Sequence, residues 1–344
     1  MWRERTSLLA FTGIAITTAF GLSPAIGQSV QDFYQKRQIT LIVSTTASGG
    51  YDMYARTFAR SFPRHVPGNP SIIVQNMPGA GGLTATNHLY ERAAKDGTVI
   101  ATIHSSMMTA PLLGIEHAKF DPRQLSMIGN ITKEQQFCVS WGTAPIKSFD
   151  QVLAKQEFIV GAGGAGGNIA SVPVLINNLF GANIKVISGY GGNAVLLAME
   201  RGEVHGRCAW SMPSLMTTHP EWLKEKKINF IVQHALEKHP DLPDVPLLID
   251  YAKTDEQKGI LDLVFAPQTI ARPILGPPGI PSDRLQALRT GFQATMKDAD
   301  FLTEAEKQGL DVMPSTAEDM STLLARLYAI PDAIVQKAIE YSAK

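Results

Sequence analysis

Short apolar runs alternate with glycine- or serine-rich turns along this 344-residue chain. Four runs of strand length, at 39–44, 72–76, 158–160 and 184–187, each lead through such a turn into a stretch with helical spacing. Strands that alternate with helices pair in parallel and are covered by those helices. The pattern therefore predicts an α/β fold.

The turns after these strands share one chemical property. Each presents unpaired backbone N–H groups at the start of a helix, where the helix dipole also favours negative charge. The turns are 48–50, 78–82, 161–168 and 188–192. Several such turns on one chain predict a cleft built for an anion, either a carboxylate or a phosphate.

The chain is predicted to form two lobes. Its length is typical of two domains, and the strand–turn–helix pattern occurs at 39–113 and again at 158–210. Extended segments at 137–141 and 271–276 begin and end the second unit, and we expect them to pair as crossover strands at a hinge. Later helical patterns, at 282–298, 300–309 and 316–342, are expected to return to the first lobe.

The N-terminus has the organisation of a secretory signal. Arg3 and Arg5 precede an uncharged run at 8–22, which small residues follow at 25–27. The run is shorter than the roughly 20 residues of a membrane span. We expect cleavage near Gly27/Gln28 and an exported protein. The predicted division is a signal peptide at 1–27, a first lobe at 28–136 and 272–344, and a second lobe at 137–271.

Charge and cysteine content exclude some classes of partner. With 31 basic and 31 acidic residues, the protein has no electrostatic reason to bind nucleic acid or an acidic membrane surface. Cys138 and Cys208 are too few for a thiolate metal cage. An exported chain can pair them, but two buried thiols on strands is the interpretation that we favour for a domain of this size.

Enzyme motifs are incomplete. The string Gly161-x-Gly163-x-x-Gly166 matches a dinucleotide turn, but the strand at 184–188 lacks the acidic residue that would hold a ribose. No Walker lysine, G-x-S-x-G elbow or H-E-x-x-H motif is present. We therefore predict no cofactor, no metal and no enzyme. An exported hydrolase that uses His104 and Ser105 remains an alternative, and so does a nucleotide enzyme.

Three side chains beside the turns have two interpretations each. Asp52 is either a helix-start residue paired with Arg56 at i,i+4 or a cleft group that contacts the solute. Tyr51 and Tyr190 lie within turns, where a large ring faces a cleft more readily than the core. We favour them as walls that close over a ligand.

Longer strings around the turns resemble a known family. The segments STTASGGYDMYAR (44–56) and IIVQNMPGAGGLTATNHLY (72–90) are similar to the Bug family of extracytoplasmic receptors of tripartite tricarboxylate transporters. The resemblance continues through 161–168, 189–207 and 265–292. It implies a two-lobed receptor of the periplasmic-binding-protein type 2 fold that works in the periplasm, and we expect it to be a monomer. Each lobe would be a mostly parallel sheet flanked by helices, with a small organic carboxylate in the cleft between them for delivery to membrane transporter subunits.

The same resemblance implies a set of ligand-binding residues. They are Thr46, Ala47, Ser48, Gly49, Gly50, Tyr51, Asp52, Pro78, Gly79, Ala80, Gly81, Ser105, Ser106, Gly163, Gly164, Ala165, Gly166, Asn168, Tyr190 and Gly191.

Several positions depart from the family pattern. Ser48 stands where glycine is usual, Tyr51 where a small hydroxyl residue is usual, and Met77 where arginine is common. Ala165-Gly166 replaces a frequent threonine or serine. These changes predict a less polar pocket, so a monocarboxylate or a bulky or aromatic acid stands beside citrate as a candidate. A receptor of the same fold that reports a ligand to a membrane sensor is a further alternative.

Overall fold

A computed structural model describes residues 1–2, 28–163, 168–190 and 194–342. The predicted signal segment lies almost entirely outside these residues. Among the described helices, none is long and apolar enough to span a membrane.

The first sheet has six strands in the order β11-β4-β10-β3-β1-β2. Strand β1 pairs in parallel with β2 and β3, while β10 runs antiparallel to β3 and β4. Strand β1 lies between two strands and its apolar side chains are buried, whereas β2 is an edge strand with alternating exposure. The strands are β1 Gln38–Val43, β2 Ser71–Asn76, β3 Val99–Thr102, β4 Ser126–Asn130, β10 Pro273–Gly276 and β11 Ser315–Thr316.

The second sheet has five strands in the order β7-β6-β8-β5-β9. Strand β6 pairs in parallel with β7 and β8, and β5 runs antiparallel to β8 and β9. The strands are β5 Gln136–Trp141, β6 Phe158–Ala162, β7 Ile184–Ser188, β8 Gly206–Ser211 and β9 Ile228–His234. Two helix-flanked sheets confirm the predicted α/β fold. The sheets are mixed rather than mostly parallel, because β10 and β5 run antiparallel to both of their neighbours.

Helices cover both sheets. They are α1 Val30–Tyr34, α2 Gly50–Ser61, α3 Leu83–Glu91, α4 Phe149–Leu153, α5 Asn168–Phe180, α6 Ala194–Glu200, α7 Met212–Thr218, α8 Pro220–Lys224, α9 Asp255–Phe265, α10 Ser282–Thr295, α11 Ala299–Lys307, α12 Ala317–Leu327 and α13 Asp332–Ser342. Buried rings of Phe58, Phe62 and Phe292 join α2 and α10 over the first sheet.

The crossing segments differ from the prediction. Strands β5 and β10 lie in different sheets, because the apolar residues of β10 are buried between β3 and β4. Two other segments pair instead: the residues just before β5 and the residues just before β10. The hydrogen bonds run from Ile131 N–H to Arg272 C=O (3.0 Å), Ala271 N–H to Thr132 C=O (3.2 Å) and Glu134 N–H to Gln268 C=O (3.0 Å). The lobe boundaries themselves remain a prediction.

The C-terminal helices also differ from the prediction in one place. Helices α10 and α12 pack on β4 and α11 packs on α2, as a return to the first lobe requires. Helix α13 packs instead on α5 and α9, and its Val335 and Ala338 are buried in the core of the second sheet. The pattern at 316–342 is therefore two helices. Pro331 stands between them, where proline is compatible with a helix start but not with a helix interior.

The cysteines are bonded. Cys138 on β5 and Cys208 on β8 form a disulfide, and both residues are buried. The interpretation as two free thiols is wrong, because the antiparallel pairing of β5 and β8 places the two residues side by side.

Candidate functional site

Three turns meet at one edge of the first sheet. Val43, the last residue of β1, lies opposite Asn76 of β2 and Thr102 of β3. The three parallel strands therefore end side by side. The turns that follow are at 44–50, 77–82 and 103–106. His104 N–H in the third turn donates to Ser44 Oγ in the first (2.9 Å), and Asn76 Nδ2 at the end of β2 donates to the carbonyl of Thr45 (3.1 Å). The structure thus brings together the first-lobe residues that the sequence assigned to the site.

The second turn is shaped by glycine. Gly79, Ala80, Gly81 and Gly82 all have positive φ, at 143°, 45°, 67° and 109°. A Cβ on Gly79 would lie 2.4 Å from Thr84 Oγ1, so a side chain there requires the turn to move. The turn leads directly into α3, and Pro78, Gly79, Ala80 and Gly81 are exposed. Its backbone is therefore accessible at the start of a nine-residue helix.

Asp52 fixes the first turn. Its Oδ2 accepts hydrogen bonds from Ser48 N–H and Arg56 Nε, and its Oδ1 accepts one from Asn76 Nδ2, all at 2.9 Å. Burial raises the pKa of Asp52, but the hydrogen bonds from Arg56, Ser48 and Asn76 outweigh it and hold the pKa below its ordinary value. These contacts favour the structural interpretation of Asp52. They also hold Ser48 at a φ of 66°, the left-handed region that explains why glycine is usual there.

Tyr51 contacts two residues of the third turn. Only 8% of the residue is exposed, its hydroxyl accepts a hydrogen bond from Ser105 N–H (3.0 Å), and its ring stacks on His104 at 5.4 Å between centroids. Ser105 is buried and Ser106 is half-buried. Tyr51 therefore positions the third turn, which is a different role from the closing wall predicted for it.

A buried ion pair that the sequence analysis missed lies under the first turn. Arg272 donates to both oxygens of Glu134, at 3.3 and 3.1 Å, and the two side chains are only 4% and 9% exposed. The Arg272 guanidinium carbon is 4.1 Å from the centre of the Tyr51 ring. A Cβ on Gly50 would be 3.4 Å from Arg272 Nη2, so the guanidinium sits against the first residue of α2.

The ion pair sets the charge of this region. Burial raises the pKa of Glu134, but Arg272 outweighs this effect and the pKa lies below its ordinary value. Burial lowers the pKa of Arg272, but Glu134 outweighs it and the pKa lies above its ordinary value. Burial is also the main reason that the pKa of His104 is lowered. The region therefore contains one neutral pair beside an uncharged imidazole at neutral pH.

Two turns also meet in the second lobe. Gly189 N–H donates to the carbonyl of Gly163, and Tyr190 N–H to that of Ala162, both at 3.1 Å. Tyr190 is half-buried. Gly164, Ala165, Gly166 and Gly191 lie outside the described residues, and the side chain of Asn168 is not described. Among the hydrogen bonds of the described residues, none joins the first-lobe turns to Gly163 or Tyr190.

The first glycine of the dinucleotide-like string has a packing role. A Cβ on Gly161 would lie 2.3 Å from Val195 Cγ2 and 3.3 Å from the Tyr190 ring. Glycine is needed here because α6 and the Tyr190 turn approach the strand closely, which requires no bound nucleotide.

The hydrolase alternative lacks an acid that orients the histidine. His104 Nδ1 lies 2.8 Å from Ser106 Oγ. In the described part of the chain, however, no carboxylate accepts a hydrogen bond from His104, whereas a catalytic base is oriented by a third group. The residues that the structure describes also contain no group of three or more His, Cys, Asp or Glu side chains that could hold a metal ion.

Known proteins are similar to this chain over most of its length. A family model described as the tripartite tricarboxylate transporter family receptor matches residues 55–339. A Cupriavidus necator protein, "UPF0065 protein in gbd 5'region", is 22% identical over 97% of this chain and 98% of its own length.

Two solved structures have the same fold. The periplasmic binding protein BugD has a TM-score of 0.65 at 19% identity, over 89% of this chain and 98% of its own. An R. palustris protein solved with adipate has a TM-score of 0.65 at 18% identity, over 89% and 97%. The chain belongs to the receptor family of the tripartite tricarboxylate transporters.

Proposed function

We propose that the ligand is a small organic carboxylate, held between the two lobes by the turns at the strand ends. The observation that carries this proposal is the meeting of three turns at the carboxyl edge of β1, β2 and β3. In open α/β sheets, ligands bind outside the carboxyl ends of the strands. The R. palustris relative, which was solved with a dicarboxylate, supports the same class of ligand.

The proposed mechanism is binding followed by lobe closure. Backbone N–H groups at 46–47, 49–50 and 79–81 receive a carboxylate, and the second-lobe turns around Gly163 and Tyr190 contact the other side of the ligand. Because the ligand makes both sets of contacts only when the lobes approach, it favours the closed state. The paired segments before β5 and β10 are the hinge in this proposal.

The proposal extends to location and partners. After cleavage of the N-terminal segment near Gly27/Gln28, the receptor works in the periplasm as a monomer and delivers the acid to membrane subunits of its transporter without changing it chemically.

A thermal-shift panel tests this function. The mature chain is refolded to remove any retained ligand and screened with mono-, di- and tricarboxylates, with NAD as a control. At about one hundred times its dissociation constant, a ligand adds roughly 2.7 kcal/mol to the free energy of unfolding. We expect a shift with one class of acid. No thermal shift with any acid, or a shift with NAD alone, would contradict the proposal. Hydrolysis of ester substrates that is abolished by Ser105→Ala would favour the hydrolase alternative.

A further inference from the structure

Arg207 is a buried cation that has no anionic partner among the described residues. It lies on β8, and only 6% of the residue is exposed. Its guanidinium makes no ion pair and no hydrogen bond to a described residue, and its Nε is buried without an acceptor. The contact that the structure gives it is the face of Trp210, 5.0 Å from the guanidinium carbon.

The other arginines near the turns are neutralised. Arg56 pairs with Asp52 and Arg272 pairs with Glu134. Arg207 thus provides the uncompensated positive charge in the described part of this region. A buried charge without a counterion is strongly unfavourable, so a protein that retains one commonly binds an ion of the opposite sign there.

The side chain of Arg207 extends toward the cleft edge of the second sheet. Val139 pairs with Arg207 and Phe137 with Trp210, so the irregular pairing of β8 places Arg207 and Trp210 on one face. Trp210 is closer to the carboxyl end of the strand. Because the guanidinium lies over the Trp210 ring, the side chain runs along the strand toward that end.

Arg207 lies beside the strand that leads into the glycine-rich turn of the second lobe. Val160 pairs with Gly206, so the neighbouring residue on β6 is Gly161, which has no side chain. The Tyr190 ring borders Gly161. Arg207 thus contacts Trp210 and neighbours Gly161, the strand residue that the Tyr190 ring borders, close to a turn predicted from the sequence to bind the ligand.

Burial affects the ionisation of this group as expected for a cation without a partner. Desolvation lowers the pKa of Arg207 to about 10. The side chain is therefore still charged at neutral pH, and an anion that binds beside it recovers part of the lost solvation.

We propose that Arg207 is a ligand-binding residue of the second lobe and that its guanidinium binds a second carboxylate of the ligand, opposite the one received by the first-lobe turns. This inference rests on the proposed function and makes the ligand a dicarboxylate. The planar guanidinium matches a carboxylate with two parallel hydrogen bonds, which a lysine does not reproduce.

Calorimetry with matched ligands tests the proposal. The probes are succinate, adipate and suberate, each with its monoamide, in which one carboxylate is replaced by a neutral group of similar size. Wild type is expected to bind its preferred diacid about 30- to 100-fold more tightly than the monoamide. R207Q should lose about the same factor for the diacid and should no longer discriminate, whereas R207K should recover part of the affinity. R201Q, which changes an exposed arginine of the same lobe, is the control and should bind as wild type does.

Unfolding of the ligand-free variants separates binding from structure. Removal of a partnerless buried charge should leave the urea midpoint of R207Q and R207M unchanged or raised, whereas a structural arginine would be needed for stability. Wild-type affinity in R207Q, retained discrimination, or failure of both variants to fold would overturn the role of Arg207 alone. Absence of acid binding in wild type would overturn the proposed function together with it.

Discussion

Substitution of Glu134 tests the buried ion pair that joins the crossing segments. Glu134→Gln keeps the size of the side chain and a hydrogen-bond acceptor, but it removes the charge that neutralises Arg272. Both side chains are less than a tenth exposed. Removal of one partner of a buried ion pair costs about 3–5 kcal/mol, because the other charge is left buried and uncompensated.

We therefore expect the free energy of unfolding to fall by about 3–5 kcal/mol in Glu134→Gln. The double variant Glu134→Gln with Arg272→Met removes both charges and should recover at least about 2 kcal/mol of this loss. Urea unfolding followed by circular dichroism measures each value. Glu237→Gln is the matched control, since it breaks an exposed pair with Lys133 on the same segment and should change stability by less than about 1 kcal/mol.

The pH dependence of stability gives an independent check. Since the pKa of Glu134 is lower in the folded protein, the pair stabilises the fold above the ordinary carboxyl pKa, and this stabilisation is lost as pH falls through the folded value. In Glu134→Gln, the free energy of unfolding should therefore decrease less steeply as pH falls into the acidic range. The reasoning would be refuted if Glu134→Gln lost less than about 1 kcal/mol of its free energy of unfolding at neutral pH and showed the same pH dependence as wild type.

Three further predictions follow from single features. Replacement of both Cys138 and Cys208 by alanine should lower the free energy of unfolding by about 4 kcal/mol, since the disulfide closes a loop across a sequence separation of 70. Thermal melts of the wild type in its oxidised and reduced forms check this. Equal melting midpoints of the two forms would contradict it. Burial lowers the pKa of His234 to about 4, so stability should fall by about 3 kcal/mol as pH falls from about 6.5 to 4, and His234→Gln should reduce the slope of urea midpoints against pH. Gly81→Val should destabilise by about 1–2 kcal/mol and abolish acid binding; Gly309→Val, at a similar φ (65° against 67°) with equally open space, should show the same destabilisation and normal binding. If calorimetry gave Gly81→Val the same affinity for the acid as Gly309→Val, the second turn would not contact the ligand.

The strand–turn–helix pattern was sufficient to predict the fold and the meeting of the first-lobe turns at one edge of a sheet. Apolar runs identify the parallel strands, and parallel strands must end at one edge, so the meeting of the turns at 48–50, 78–82 and 103–106 follows from the order of elements.

Features that depend on distant residues were not accessible in this way. Glu134 and Arg272 are 138 residues apart and share no local motif. A single arginine inside the apolar segment at 271–276 was the one available signal. The position of α13 also depends on tertiary packing, because an amphipathic helix buries its apolar face equally well against either lobe.

Local motifs gave both interpretations of Asp52 but not the choice between them. The i,i+4 spacing to Arg56 was visible, whereas the hydrogen bond from Asn76 depends on the pairing of β1 with β2. The disulfide was missed for a similar reason, since the register of β5 against β8 cannot be inferred from two isolated cysteines.

The most direct test of carboxylate capture is a calorimetric titration of the refolded mature chain with the acid selected by the thermal-shift panel and with its fully amidated analogue. The two molecules have the same carbon skeleton and differ in negative charge. We predict saturable one-to-one binding of the acid and at least about 100-fold weaker binding of the neutral analogue, since hydrogen bonds to a charged group contribute about 1.5–3 kcal/mol each. Equal affinity for the two would show that the site does not recognise a carboxylate and would contradict the account.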